Sequence, residues 1–370
     1  MSVIEHSAAA TVSRHRYHFL DGVRGVAALA VVVWHTNVSW PRAFHPASSY
    51  LAVDLFFILS GFVIAYAYGG KLDRGLSSFE FMKLRFIRLY PLFFLFCGLK
   101  ILALLAAWAM HHHLPQPWTP SSFFSSLVFN LLFLPVPTHL GPIQAPMAAL
   151  FPFDDPSWSL FFELFVNLVF ALAWLRLSSK VLGLVCLAGA ACVIATSLIH
   201  GSLDAGFIWT SFLGGFARVF FGFPAGILLY RIANGRAALR LPPLLLMVVT
   251  AMLFFVPASG LARQIFDPVA VLLIFPSLVL AGSLVVVRGW LVPLFDFLGI
   301  TSYAVYVGHR FLHNGFVALV GKTALPPQWS GPVFIVLLLA ITWGLDNLYD
   351  APVRRWLLGR LASQRRGYVH

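Results

Sequence analysis

Apolar residues run along the chain in blocks of about twenty, separated by short polar or proline-bearing stretches. A bilayer core of ~30 Å and a helical rise of 1.5 Å per residue set about 20 residues per crossing. Read at that length, the pattern predicts ten spans, over roughly 19–38, 51–69, 89–110, 157–175, 180–199, 207–230, 242–258, 268–287, 297–319 and 331–350. A further apolar stretch, 121–134, is helical in pattern but short of a crossing. It is read as a re-entrant or surface helix within a long outer-face loop, 111–156, which also holds His111-His112-His113 and Asp154-Asp155. The first span is not a cleavable leader, because Asp21 and Arg24 sit in its first turns and Val38-Ser39-Trp40 is a poor cleavage site. With no repeat or heptad in view, the chain divides into an N-terminal segment (1–18), one transmembrane domain (19–356) and a basic tail (357–370). The expected fold class is all-α, a polytopic integral membrane protein.

Composition strengthens this reading. Of 370 residues, 60% are hydrophobic and 10% charged, where a soluble chain carries about 25% charged residues. That excludes a disulfide scaffold, a disordered chain and a cytosolic α/β enzyme. The net charge of +12 would suit a nucleic-acid partner in a soluble protein; here it reports loops facing the cytoplasm, and no nucleic-acid partner is expected. With the N-terminus placed in the cytoplasm, that side receives Arg14, Arg16, Lys71, Arg74, Lys83, Arg85, Arg88, Arg176, Lys180, Arg231, Arg236, Arg240, Arg288, Arg354, Arg355, Arg360, Arg365 and Arg366, against Arg42, Arg263 and Lys322 on the other. The asymmetry predicts cytoplasmic termini and an even number of spans; counting 121–134 as a crossing would destroy it. Cys97, Cys186 and Cys192 all lie in apolar runs, so neither a disulfide framework nor a metal site is expected.

Ionisable residues within spans are costly and therefore conspicuous. In the first span Arg24 and His35 are eleven residues apart, three helical turns to within 20°, so they share one face about 16 Å apart. Asp21 is spaced to pair with Arg24. Asp54 opens the second span, whose Ser60-Gly61 marks a close helix contact. Arg85 and Arg88 lie on one side of a helix entering the membrane, an arrangement that anchors the chain or clamps phosphates. Ser159 and Glu163 share a face of the fourth span, and Glu163 lies inside the bilayer. The ninth contributes Ser302, and in it Tyr303, Tyr306 and Arg310 (i, i+3, i+7) form one polar stripe with His309 beside it.

In this order the motifs resemble the acyltransferase-3 family of membrane acyltransferases, which O-acylate bacterial surface glycans. Leu20-Asp21-Gly22-Val23-Arg24-Gly25 with His35 matches the family's Arg-x10-His pair. Asp54-Leu55-Phe56-Phe57-Ile58-Leu59-Ser60-Gly61-Phe62 and the Arg-x-x-Arg element Arg85-Phe86-Ile87-Arg88-Leu89-Tyr90-Pro91 follow. Trp158-Ser159-Leu160 with Glu163, Leu298-Gly299-Ile300-Thr301-Ser302-Tyr303 through His309, and Tyr349-Asp350-Ala351-Pro352 complete the set. Gly308 stands where the family often has Trp, and Asp350 where Glu is common. The chain resembles the stand-alone form, without an SGNH hydrolase-like domain.

The resemblance implies a bacterial inner-membrane enzyme that takes an acyl group, usually acetyl and next succinyl, from cytoplasmic acyl-CoA to a sugar hydroxyl. The acceptor is a carbohydrate whose form stays open: polysaccharide, lipid-linked sugar or small metabolite. No cofactor is expected to be permanently bound. His35 is the expected base, with Glu163 to orient it or steady its protonated form and Asp54 as competitor. Direct action on the acceptor and prior acylation of His35 are both open. Arg24 is expected to hold the thioester arm or the oxyanion, and Arg85 and Arg88 the donor phosphates. A transporter or flippase using the same buried charges is the alternative, although no repeat symmetry supports it.

Overall fold

Every apolar block folds as a helix. The computed structural model describes residues 17–41, 44–115, 117–143, 148–321 and 325–367; Arg14, Arg16, Arg42, Lys322 and nearly all of the 1–18 segment lie outside them, as do the side chains of Arg365 and Arg366. Among the described residues there is no β-strand, and thirteen α-helices run in chain order. They are α1 (His18–His35), α2 (Ala52–Asp73), α3 (Ser78–His111), α4 (Pro120–Leu131), α5 (Trp158–Ala173), α6 (Ser179–His200), α7 (Phe212–Ala233), α8 (Pro243–Leu253), α9 (Gly260–Val269), α10 (Phe275–Ser283), α11 (Leu291–Val320), α12 (Pro327–Leu345) and α13 (Ala351–Gly367).

Eight helical segments among the described residues are long and apolar enough to cross a bilayer: Ser49–Asp73, Ser78–His111, Asp155–Arg176, Ser179–His200, Trp209–Ala233, Gly260–Ser283, Leu291–Val320 and Trp329–Leu361. Two of the ten expected spans fall short on these grounds. Asp21, Arg24 and His35 dilute the apolar character of α1, and α8 is only 11 residues long. Two of the long segments contain π-turns, at Ala270–Ile274 and Asp346–Asp350. Each precedes a proline, Pro276 or Pro352, which cannot donate to the turn before it, so the ladder widens there.

Helix directions bear on the parity of the spans. Ser78 Oγ donates to the carbonyl of Ala171 (2.9 Å) and Arg85 meets Glu163 (2.8 Å), so α3 and α5 are antiparallel. The connection between them therefore leaves and returns on one face. The 12-residue α4, capped by the Thr119 hydroxyl with Pro120 in its first turn, lies within it and adds no crossing. This agrees with the reading of 121–134 as a re-entrant or surface helix.

Two parallel pairs form the centre. Helix α1 runs beside α11, with rungs Arg24–Ser302, His35–His309 and Ser39–His313 at separations of 278, 274 and 274 residues. The short, polar α1 therefore traverses the fold alongside a 30-residue helix. Helix α2 runs beside α7 at backbone contact: a Cβ on Gly61 would lie 2.0 Å from the carbonyl oxygen of Phe223, and one on Gly226 2.0 Å from that of Ile58. Small residues are what let helices approach this closely where lipid gives no hydrophobic drive to associate.

Candidate active site

Successive residues of α1, α2, α5 and α11 face two cavities arranged end to end along the helices. The first, about 180 Å³, is lined by Arg24 of α1, Val53, Phe56, Leu59, Ser60, Val63 and Ile64 of α2, Arg85, Arg88 and Leu89 of α3, Ser159, Leu160 and Glu163 of α5, and Ser302, Tyr303 and Tyr306 of α11. The second, about 410 Å³, is lined by Val31, Trp34 and His35, by Tyr50 and Val53, by Asp155, Pro156 and Trp158, by Asp204 and Phe207, and by Tyr306 and Arg310.

In the first cavity three guanidinium groups converge on an apolar wall. Arg24 Nε donates to Ser302 Oγ (2.9 Å), and its Nη2 donates to Asp21 (2.9 Å) and to the carbonyl of Gly299 (2.8 Å). The expected Asp21–Arg24 pair is thus formed. Arg85 Nη2 donates to Glu163 Oε1 (2.8 Å), which also accepts from Ser60 Oγ (2.9 Å). The buried Nε of Arg85 has no acceptor among the described residues. Arg88 lies over the Tyr303 ring at 5.6 Å and shares Asp350 with Arg354, at 3.5 and 3.0 Å. The Tyr303 hydroxyl donates to the carbonyl of Leu89, tying α11 to α3. Arg85 and Arg88 therefore belong to this cavity and are already held by carboxylates, where the sequence placed them as inner-surface charges.

The second cavity holds the imidazole. His35 Nδ1 lies 2.8 Å from Nε2 of His309, with the rings within 10° of coplanar. His309 Nδ1 is 2.8 Å from the carbonyl of Tyr306 and 3.1 Å from that of Val305. Carbonyls only accept, so His309 carries its proton on Nδ1 and, neutral, presents a lone pair at Nε2. His35 then donates from Nδ1, which leaves its own Nε2 as a free base. Glu163 and Asp54, the expected orienting groups, do not reach it. Glu163 is taken up by Arg85 and Ser60, while both oxygens of Asp54 accept from the fully buried Arg218, at 2.9 and 2.7 Å. Arg310 meets Asp155 (2.8 Å) at the exposed mouth. Next to His309, Gly308 has no room for a side chain, since a Cβ there would lie 2.3 Å from Phe96; Phe96 occupies that space.

Tyr306 and Ser159 link the two sides. Ser159 Oγ donates to the carbonyl of Pro156 (3.3 Å), so the Tyr306 hydroxyl donates to Ser159 (2.8 Å). The polar stripe of α11 is present: Tyr303 faces the first cavity, Arg310 the second, and Tyr306 both, while Ser302 also lines the first.

Sequence reasoning missed Arg218, although an arginine inside a span is itself a signal. It also missed the cluster in which Asp267 accepts from Tyr50 (2.7 Å) and from Arg263 (3.3 Å); the i, i+4 spacing of Arg263 and Asp267 was the available sign. Around the second cavity burial pushes up the carboxyl of Asp204, against the pull of Arg218. Burial also raises that of Asp154 to about 8, although it accepts from the Ser157 hydroxyl. No group of three or more potential metal ligands occurs among the described residues.

A family model described as an acyltransferase domain matches residues 17–346. Among curated proteins, protein 2 in the picA locus of Rhizobium radiobacter is 47% identical over 167 residues, 42% of this chain and 81% of that protein. Acyltransferase MdmB of Streptomyces mycarofaciens is 32% identical over 176 residues, 44% of this chain and 40% of its own length. Peptidoglycan O-acetyltransferase OatA of Listeria monocytogenes is 33% identical over 81 residues, covering 21% of this chain and 12% of that protein. No solved structure matches.

Proposed function

The chain belongs to the acyltransferase-3 family of membrane acyltransferases, and from that premise we propose that it moves an acetyl group from cytoplasmic acetyl-CoA to a hydroxyl of a surface or exported glycan. The observation that carries this reading is the pair of adjoining cavities, one lined by Arg24, Arg85 and Arg88, the other holding His35 with a free Nε2. The guanidinium groups and the spare Nε–H of Arg85 suit the phosphates and thioester of a CoA donor. The second cavity, with Trp34, Trp158 and Tyr50 beside Asp155 and Asp204, offers flat apolar faces and acceptors of the kind that fit a sugar ring.

The acceptor oxygen bonds to the thioester carbonyl carbon while His35 Nε2 takes the hydroxyl proton. The carbon–sulfur bond breaks, and the departing thiolate takes a proton to give CoA and the ester. Guanidinium donors facing the carbonyl lower the oxyanion's energy. The basic-residue asymmetry supports cytoplasmic termini in a bacterial inner membrane, with the Arg-lined cavity opening inward.

The test uses membrane vesicles from host cells deleted for the chromosomal copy and supplied with this chain, which retain the native acceptor. Given acetyl-CoA labelled in the acetyl group, they should release CoA and place label in glycan, and His35→Ala should abolish both. Label that crosses the bilayer without covalent attachment would overturn the reading in favour of transport.

A further inference from the structure

Val53 and Tyr306 line both cavities, and they do so from opposite helices, α2 and α11. Tyr50, in the turn that leads into α2, lines the second cavity; along α2 itself Val53 lines both, then Phe56 and Ser60 the first. Along α11 the order is Ser302 and Tyr303 on the first, Tyr306 on both, then Arg310 on the second. The guanidinium groups thus lie on one side of these two side chains and His35 on the other.

We propose that Val53 and Tyr306 form a septum whose clearance selects the acyl group reaching His35, so that short acyl groups pass and longer ones do not. The inference rests on the acyl-CoA reading above and adds a specificity-determining pair to it.

Both residues are held in place. Tyr306 and Val53 are 6% and 5% exposed. The Tyr306 hydroxyl is fixed on Ser159, and its ring packs edge-on to Phe56 at 5.4 Å. Val53 precedes Asp54, whose two carboxylate oxygens are anchored on Arg218, and α2 is seated on α7 at backbone contact through Gly61 and Gly226. Val53 therefore cannot retreat by a shift of its helix, and Tyr306 turns aside only by leaving Ser159. A close-packed constriction made of a branched side chain and a braced ring is sensitive to single methylene groups, because interiors respond to volume changes that small. Enzyme pockets discriminate one methylene by about 10- to 200-fold.

The experiment uses the same host-cell vesicles with acetyl-, butyryl- and hexanoyl-CoA, each labelled in the acyl group, reading CoA release and label in glycan. The parent should use acetyl-CoA in strong preference. Val53→Ala removes two methyl groups and should raise the butyryl-to-acetyl rate ratio by about tenfold or more. Tyr306→Phe keeps the ring but frees it from Ser159 and should raise the ratio by a smaller factor. Chain abundance in the membrane is measured for each variant, and the ratio itself is independent of that abundance. An unchanged ratio in both variants, or a parent that uses hexanoyl-CoA as readily as acetyl-CoA, overturns the septum and leaves the acyl-CoA reading standing. No CoA release by the parent from any donor overturns that reading, and the septum with it.

Discussion

His309 holds His35 with a neutral imidazole instead of a carboxylate: their facing nitrogens are 2.8 Å apart, and two backbone carbonyls fix the proton on the far nitrogen of His309. The arrangement sets the tautomer of His35 and leaves its Nε2 as the basic nitrogen. His309 is a positioning residue in this scheme. Its replacement by Ala should lower kcat by about 10²–10⁴-fold, the range of general-base contributions. His309→Gln, which offers a carbonyl acceptor, should retain more activity than His309→Ala. The pH profile separates positioning from mere packing. The groups facing His35 are His309 and Arg310 on α11, Asp155 on the loop before α5, Asp204 before α7 and Tyr50 before α2. Removing one of two coupled imidazoles should alter the shape of the acid limb of kcat/KM; an unaltered limb would refute the role.

In the first cavity the guanidinium groups divide the work unequally. Arg88 is held by a long contact to Asp350 (3.5 Å), whereas Arg85 is bonded to Glu163 at 2.8 Å. Arg88→Ala should raise KM for acetyl-CoA by about tenfold, the worth of a charged hydrogen bond, with kcat little changed. Arg85→Ala should also impair the fold, because it leaves the half-buried Glu163 carboxylate without its paired cation and with the Ser60 hydroxyl as its remaining donor, and adding Glu163→Gln should recover part of the loss. A double-mutant cycle on thermal stability measures this coupling, expected at about 0.5–3 kcal/mol. A coupling of zero would mean the pair is incidental.

What the sequence revealed here, and what it hid, follows from what helical periodicity can encode. The Asp21–Arg24 pair, the shared face of Ser159 and Glu163 and the α11 stripe are local relations at i, i+3 and i, i+4, readable from one strand of text. So was the loop status of 121–134, because charge parity depends on the number of crossings. Pairings across 164 or 274 residues were not readable, because nothing in a single sequence says which spans adjoin. Glu163 and its competitor Asp54 were therefore the candidates to orient His35, although α3 brings Arg85 to the first and α7 brings Arg218 to the second. The span count differs for another reason. Asp21, Arg24 and His35 lower the apolarity of α1, and its place beside α11 becomes evident only from packing.

The Asp54–Arg218 pair is structural by this geometry. Both partners are essentially inaccessible, and the guanidinium also donates to the carbonyls of Tyr50 (2.8 Å) and Ala205 (2.7 Å). Asp54→Ala leaves a buried cation without its counter-ion and should cost about 3–5 kcal/mol. Replacing both, Asp54→Leu with Arg218→Met, should be far less damaging than Asp54→Ala alone, since a buried ion pair contributes little net stability over apolar residues of similar size. Thermal unfolding in detergent checks this. A double variant as unstable as the single one would show instead that the carbonyl contacts of Arg218 matter most.

Asp154, in the loop entering α5, should make the fold lose stability as pH rises. Burial lifts its carboxyl from the ordinary 3.8 to about 8, Asp155 adds to the rise, and the Ser157 hydroxyl and Arg310 oppose it. Between those two values the unfolded chain has released this proton while the folded chain keeps it. The folded state thus binds more protons there, and raising the pH favours unfolding by up to about 1.4 kcal/mol per pH unit. The loss is absent below the lower value and complete above the upper. Asp154→Asn cannot titrate, yet its side-chain carbonyl still accepts from Ser157. All other titrating groups are common to both chains, so the difference between their unfolding midpoints, followed from about pH 5 to pH 8, isolates this carboxyl. The parent should fall steadily relative to Asp154→Asn across that window, and parallel pH dependences would mean that Asp154 is ionised in the folded protein.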